Sequence, residues 1–306
     1  MSAAAPAAGG EEVPAKLVMQ LRAATGLPMM KCKEALLACG NDYEKSVDWL
    51  RKKGLETAAK KADRVMKEGR VAIQTSPDGS SAAMVEVDCE TEPVMNSPDF
   101  KGLVDGICSL VISKAKGHAG ELPIEQVLAW PHGKGETVDS TVKHLVAKIG
   151  ENMAMRRAAA FSGAQRIGTY LHFNAKVGVV TELSGDAKAL GSPDAKAFID
   201  DLGKHVAFAK PVALSRTDVS ADLVAKEMEI YREQAKQDPK MAGKPPQVVE
   251  QILKGRLDKY FADKCLVDQP WVMDDKMKVK DALDAAAKRA GGAFAIKRFA
   301  IFQVGA

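Results

Sequence analysis

The chain of 306 residues is expected to fold as an α+β protein. It should combine an N-terminal three-helix bundle, two duplicated small antiparallel-sheet/helix subdomains, and an inserted antiparallel helical coiled arm. Three observations carry this expectation. Gly26, Gly40 and Gly54 each close an apolar-periodic stretch near the N-terminus. A strand–connection–helix pattern recurs after 95 positions: Ser97-Pro98-Asp99 returns as Ser192-Pro193-Asp194, and Met84-Val85 as Val179-Val180. Two long amphipathic stretches then flank a proline- and glycine-rich connector, Asp238 to Pro245, which no helix can run through.

Taken in order, residues 1–15 are Ala/Gly/Pro-rich and read as a disordered tail. They have neither the basic start nor the apolar centre of a signal or transit peptide. Residues 16–54 form the three-helix module, with left-handed glycines ending its helices. Leu17, Val18, Leu21 and Ala24 of helix one face inward. Pro28 opens helix two, and Asn41 with Glu44 reads as a capping box for helix three, which buries Val47 and Leu50. The result is a compact bundle like the ubiquitin-associated domain. Adjacent helical residues diverge by about 100°, so at least one of Met29 and Met30 points away from the core. A docking face and a near-core position both account for the pair.

Residues 55–68 read as a basic helical connector, its charges explained most simply by solvation. The first core subdomain, 69–163, starts with a hairpin, Val71–Thr75 and Ala82–Val87, followed by a long helix from Ser97-Pro98 and helical stretches near 123–129 and 141–157. The second, 164–216 with 265–306, repeats the hairpin at 167–173 and 177–183 and the helix at 193–209. It closes with a helix near 279–290 and a strand near 295–304 that rejoins its sheet. The arm, 217–264, holds helices at 221–237 and 246–261.

The two copies differ most in the connection between strand and helix. The second copy has a bland Ser184-Gly185-Asp186-Ala187-Lys188. The first has Cys89-Glu90-Thr91-Glu92-Pro93-Val94, an acidic tip stiffened by proline. Packing of a duplicated scaffold does not require that difference, which makes the loop a candidate for function; a rigid turn after a strand would account for it equally.

Composition excludes several classes. No apolar run approaches membrane-spanning length. The five cysteines show neither pairing nor metal spacing, which points to a reducing, cytoplasmic setting. A net charge of +4 and 5% aromatic residues do not make a nucleic-acid platform, so a nucleic-acid partner is not expected. None of the Gly-Lys pairs continues into Ser or Thr as a phosphate loop requires, and GxGxxG, GxSxG and HExxH are absent. Cys89 beside Glu90 has no activating base and reads as structural. With no catalytic constellation, no metal and no cofactor of its own, the chain is expected to act by binding another macromolecule.

Several stretches resemble one family. Leu21-Arg22 through Thr25-Gly26-Leu27-Pro28-Met29-Met30-Lys31-Cys32 is similar to the opening helices of elongation factor Ts. Val85-Glu86-Val87-Asp88-Cys89-Glu90-Thr91-Glu92-Pro93-Val94 resembles its second signature, and Lys148-Ile149-Gly150-Glu151-Asn152-Met153 with Arg156-Arg157 a third. Gln269-Pro270-Trp271-Val272-Met273 and Ile296-Lys297-Arg298-Phe299 resemble less specific ones. The resemblance implies a nucleotide-exchange factor for the GTPase elongation factor Tu, acting on the partner's magnesium–GDP without making or breaking a bond. It implies a Tu-gripping helical module with contacts from Arg22, Met29 and Met30. It also implies a magnesium-dislocating loop at Thr91, Glu92, Pro93 and Val94, and further contacts from His172, Val272 and Met273.

Three positions depart from the family pattern, Glu92, Pro93 and Phe173, the first keeping a carboxylate with one extra methylene. The family's loop reads Thr-Asp-Phe-Val, with phenylalanine as a wedge where Pro93 stands here. Phe173 also follows Tyr170-Leu171-His172 where the family tends to have glycine. Longer members add a C-terminal helical module, which a chain ending at Ala306 is expected to lack. The alternatives are a ubiquitin-associated-like adaptor using Met29-Met30 and an RNA-associated factor using the basic connector.

Overall fold

The computed structural model describes residues 12–133, 136–238, 241 and 244–305. The tail expected over 1–15 therefore falls largely outside the described residues, as does part of the connector between the arm helices. Among the described residues no helix is long and apolar enough to cross a membrane.

The bundle consists of α1 (Ala15–Thr25), α2 (Met29–Ala38) and α3 (Tyr43–Ala59). Val18, Leu21, Leu27, Cys32, Ala35, Leu36 and Leu50 form its core. Gly26 and Gly40 end the first two helices in left-handed backbone, φ 67° and 60°. Four expectations need correction here. Ala24 is exposed and lines a groove between bundle and core instead of packing inside the bundle. Asn41 is itself left-handed, φ 61°, and the cap of α3 is Asp42, whose carboxylate accepts from the Lys45 N–H at 3.0 Å. Gly54 does not end α3. The helix runs on to Ala59, and the rest of the supposed helical connector is turn and extended chain up to residue 67.

The first core subdomain runs β1 (Glu68–Thr75), β2 (Ala82–Cys89), α4 (Glu92–Met95), α5 (Pro98–Lys114), β3 (Ala119–Glu121) and α6 (Ile124–Leu128). A small ribbon, β4 (Pro131–His132) with β5 (Glu136–Thr137), leads into α7 (Val138–Ile149) and β6 (Met153–Phe161). The sheet is antiparallel in the order β1-β2-β6-β3. The segment expected to continue as helix to residue 157 is thus a strand. Gly150, φ 92°, ends α7, and β6 pairs with β2 on one side and β3 on the other. Its Ala- and Met-rich sequence favours a helix locally, and the two ladders override that preference.

The second core subdomain runs β7 (Arg166–Leu171), β8 (Val177–Gly185), α8 (Ala187–Leu190) and α9 (Pro193–Ala209). The arm, α10 (Ala221–Gln237) and α11 (Pro246–Lys264), follows. The chain returns through β9 (Pro270–Trp271), β10 (Asp274–Lys278), α12 (Val279–Ala290) and β11 (Phe294–Gln303). β11 rejoins the sheet, in the order β11-β8-β7. Ser97 and Ser192 cap α5 and α9 identically, accepting from Phe100 and Ala195 N–H groups, and both helices have 17 residues. At the root of the arm Arg216 pairs with Asp258 at 2.7 Å and Asp268 at 2.8 Å, over a small core of Ala213, Val219 and Cys265.

The two sheets pack face to face through Val71, Met84, Phe161, Val180 and Phe302. Gly178 on β8 leaves room for Val71, with which any side chain there would collide. At one end of this interface the sheet face turns ionic. Glu86 accepts from Arg157 at 2.5 Å, and Arg157 lies over the Phe302 ring at 4.5 Å. Asp88 pairs only loosely with Arg156, at 3.4 Å, and its Oδ1 is buried without a hydrogen bond. Burial, with the Glu86 charge nearby, pushes the Asp88 carboxyl up to about 6.

The bundle is fastened to the first core subdomain by α3 lying on α7. Gly54 permits the approach: a Cβ there would meet the Ala147 Cβ at 3.3 Å. Lys31 Nζ donates to the Ala147 carbonyl at 2.8 Å and Lys61 Nζ to the Gly150 carbonyl at 2.5 Å. Both ammonium groups sit at the negative end of α7, where a cation is favoured.

Two outcomes follow from this packing. Gly54→Leu should overfill the α3–α7 contact and lower stability by about 1–3 kcal/mol in a denaturant titration. Asp88 is held above its unfolded value, so its favourable contribution is complete below about pH 4 and is lost as pH rises through about 6. Asp88→Asn should therefore stabilise the protein by about 1–2 kcal/mol at pH 7.5 and by almost nothing at pH 4, as read from thermal melts.

Candidate functional site

The distinctive loop of the first copy is a single helical turn, α4, and its counterpart α8 lies at the same 95-residue shift. Val94 and Met95 are buried in the first core, as Ala189 and Leu190 are in the second. Val94 is therefore the anchor of the turn. Thr91, Glu92 and Pro93 are exposed. Pro93 stands within the first turn of α4, where a missing N–H costs nothing and a fixed φ helps.

The two turns are capped differently. In the second copy Asp186 caps its own helix, accepting from the Ala189 N–H at 2.9 Å. In the first, Thr91 makes no side-chain cap bond. Its hydroxyl donates to Glu151 Oε1 at 2.8 Å and its N–H to Glu151 Oε2 at 3.2 Å. Glu90, one residue earlier, accepts from the Asn152 N–H at 2.6 Å. Asn152 Nδ2 then donates to the carbonyls of Ala62 and Arg64, at 3.1 and 3.0 Å. Cys89, at the strand end, is buried, and burial pushes its thiol up to about 12, with the Glu151 charge adding to the effect. It stays a thiol at neutral pH, in keeping with a structural role.

On the bundle, both Met29 and Met30 are exposed, so neither belongs to the core; Met30 is 75% accessible. Arg22 is exposed near the end of α1. Met19 and Leu37 are also exposed on the bundle, and Met19 was not singled out from the sequence. The signal was present in the spacing: Met30, Lys33 and Leu37 fall on one helical face, as do Met19 and Arg22.

On the second subdomain His172 is half-buried in the β7–β8 turn, with Nδ1 2.8 Å from the Tyr170 hydroxyl. Phe173 beside it is 92% exposed, its ring 4.4 Å from the imidazole. Val272 and Met273 form the exposed turn between β9 and β10. That turn is set by His205, which is buried and stacked on Trp271. The Val272 N–H donates to His205 Nδ1 at 3.3 Å, so the proton lies on Nε2, 3.0 Å from Gln269 Oε1. Burial depresses the imidazole pKa, which keeps this neutral tautomer. Phe208, one turn beyond His205 on α9, and Val212 are also exposed and were missed in the sequence.

The candidate residues thus lie on the bundle, on the α4 turn, and on the β7–β8 and β9–β10 turns of the second subdomain. Among the described residues no cluster of His, Cys, Asp and Glu is placed to hold a metal ion.

Comparison with known proteins places this architecture. The profile of the family described as Elongation factor TS matches residues 90–306. The chain is 40% identical to "Elongation factor Ts" of Rhodospirillum rubrum over 299 residues, 96% of this chain and 93% of that protein. It is 37% identical to the protein of the same name from Trichlorobacter lovleyi over 297 residues, with 96% and 93% covered. Against that of Symbiobacterium thermophilum it is 35% identical over 297 residues, covering 96% and 92%. The profile match and these relatives, which extend along nearly its whole length, make the chain a member of the elongation factor Ts family.

Proposed function

We propose that the chain is a guanine nucleotide exchange factor for elongation factor Tu: it binds Tu·GDP, disturbs the magnesium and phosphate site, and lets GDP leave so that GTP can enter. The observation that carries this reading is the acidic, proline-bearing Thr91–Pro93 tip, exposed on a buried Val94–Met95 base, where the matched second copy has the bland Asp186–Lys188 on its own buried base. A tip of this kind can be pressed into a partner without unfolding its support.

The reaction is binding coupling. A factor that prefers nucleotide-free Tu must weaken nucleotide binding by the factor with which nucleotide weakens its own. Magnesium neutralises the diphosphate, so displacing it speeds release. In this reading the bundle grips the GTPase through Arg22, Met29 and Met30. His172, Val272 and Met273 add contacts from the second subdomain, and no covalent step occurs on this chain.

Substoichiometric protein should accelerate release of labelled GDP from Tu, and no acceleration at saturating concentration would end this reading. Met29→Ala with Met30→Ala should weaken Tu binding by about 1–3 kcal/mol in calorimetry. The melting curve should hardly change, because both side chains are exposed. Pro93→Phe should keep or raise the exchange rate. Pro93→Gly should lower it, since a tip freed of its φ restraint must be ordered on contact at about 1 kcal/mol. Glu92→Gln should slow exchange if the carboxylate acts on the magnesium environment.

A further inference from the structure

The turn between α7 and β6 ties together two elements that the exchange reading treats as separate. Glu151 holds Thr91 by both its N–H and its hydroxyl, and the neighbouring Asn152 N–H is held in return by Glu90. The clasp is reciprocal: each strand of chain supplies a carboxylate to the other. The same turn also holds the chain leading from the bundle. Asn152 Nδ2 bonds the Ala62 and Arg64 carbonyls, Lys61 Nζ bonds the Gly150 carbonyl, and Arg64 lies 3.6 Å from Glu90. Residues 61–64, 90–91 and 150–152 therefore form one hydrogen-bonded knot. Asn152 is buried, so its amide contacts are sheltered from water.

We propose that Glu151 and Asn152 are positioning residues that lock the Thr91–Pro93 tip to the base of the helical bundle, making gripping surface and tip one rigid lever. The proposal rests on the exchange reading and deepens it. A four-residue turn cannot hold its own shape, because helix nucleation is unfavourable and α4 makes too few internal bonds. The second copy solves this with a self-cap at Asp186. The first copy gives up the self-cap and takes its restraint from Glu151, 60 residues away in sequence. A tip fixed this way keeps its place relative to the bundle when the bundle engages a partner. A loosened tip would yield to the surface it is meant to displace, so binding would survive while the release step slowed. Neither residue needs to touch the partner.

The test compares Glu151→Ala, Glu151→Gln, Asn152→Ala and Thr91→Val with the parent. Two readouts are used: GDP release from Tu over a range of factor concentrations, and hydrogen–deuterium exchange of the Thr91–Asn96 amides in the free protein. Glu151→Ala should lower the saturating release rate about fivefold or more, the size expected from losing a two-bond carboxylate contact. The half-saturating concentration should stay within about twofold, since the bundle's grip is intact. Glu151→Gln, still able to accept from the N–H and to donate to the hydroxyl oxygen, should recover most of the rate. Thr91→Val, nearly isosteric, should give a smaller loss of the same kind. Asn152→Ala should slow release and deprotect residues 61–64. The proposal is overturned if Glu151→Ala deprotects the tip yet releases GDP like the parent, or if the tip amides stay as protected as before. Should the parent itself fail to accelerate release, the exchange reading falls, and the amide protection alone decides whether the lock exists.

Discussion

The close approach of α3 to α7 is the constraint on which the rest of the molecule depends. It is possible because residue 54 carries no side chain, and it is fixed by two lysines on the carbonyl end of α7. A bundle of three short helices has a small core and little stability of its own. Docked on α7 it shares the core of the first subdomain, through Ala58 and the helix it rests on. The same helix ends at Gly150, where the chain turns into β6 and where the bonds to the α4 turn are made. One helix thus supports the bundle at its side and the α4 turn at its end.

Duplication supplies the second constraint. Strand, short turn and capped helix recur with matched lengths, matched serine caps and matched buried anchors. The copies differ in what the turn does with its first residue. Asp186 closes its own helix, whereas Thr91 is held from outside. The sheets of the two copies then pack against each other, which leaves the tip of α4, the β9–β10 turn and the outer face of the bundle exposed.

Much of this was legible in the sequence, and the failures have physical causes. The serine caps, the arm helices and the helix at 279–290 are local patterns, and the structure keeps them where proline, capping residue and periodicity place them. The first half of β6, Met153–Arg157, suggests a continued helix because its composition is helical, and it gains its strand identity from neighbours distant in sequence. Gly54 was read as a helix end because a close helix–helix contact and a cap both select glycine. Asn41 was read as the cap one residue early, since a left-handed Asn and a capping Asp have similar local signatures. The unusual turn could be located by comparing the two copies. Its clasp could not, because Glu151 and Thr91 meet only through the fold.

The central claim is that the exposed tip of α4, and not the scaffold beneath it, drives nucleotide release. The second copy offers the control. Replacing Glu92 by Ala and Pro93 by Lys gives the first copy the residues that stand at Ala187 and Lys188, while leaving Thr91 and its bonds to Glu151 in place. Stopped-flow release of fluorescent GDP from Tu would compare this variant with the parent at saturating concentration. The account predicts a variant that folds, binds Tu and no longer accelerates release. A variant that releases GDP as fast as the parent would contradict it.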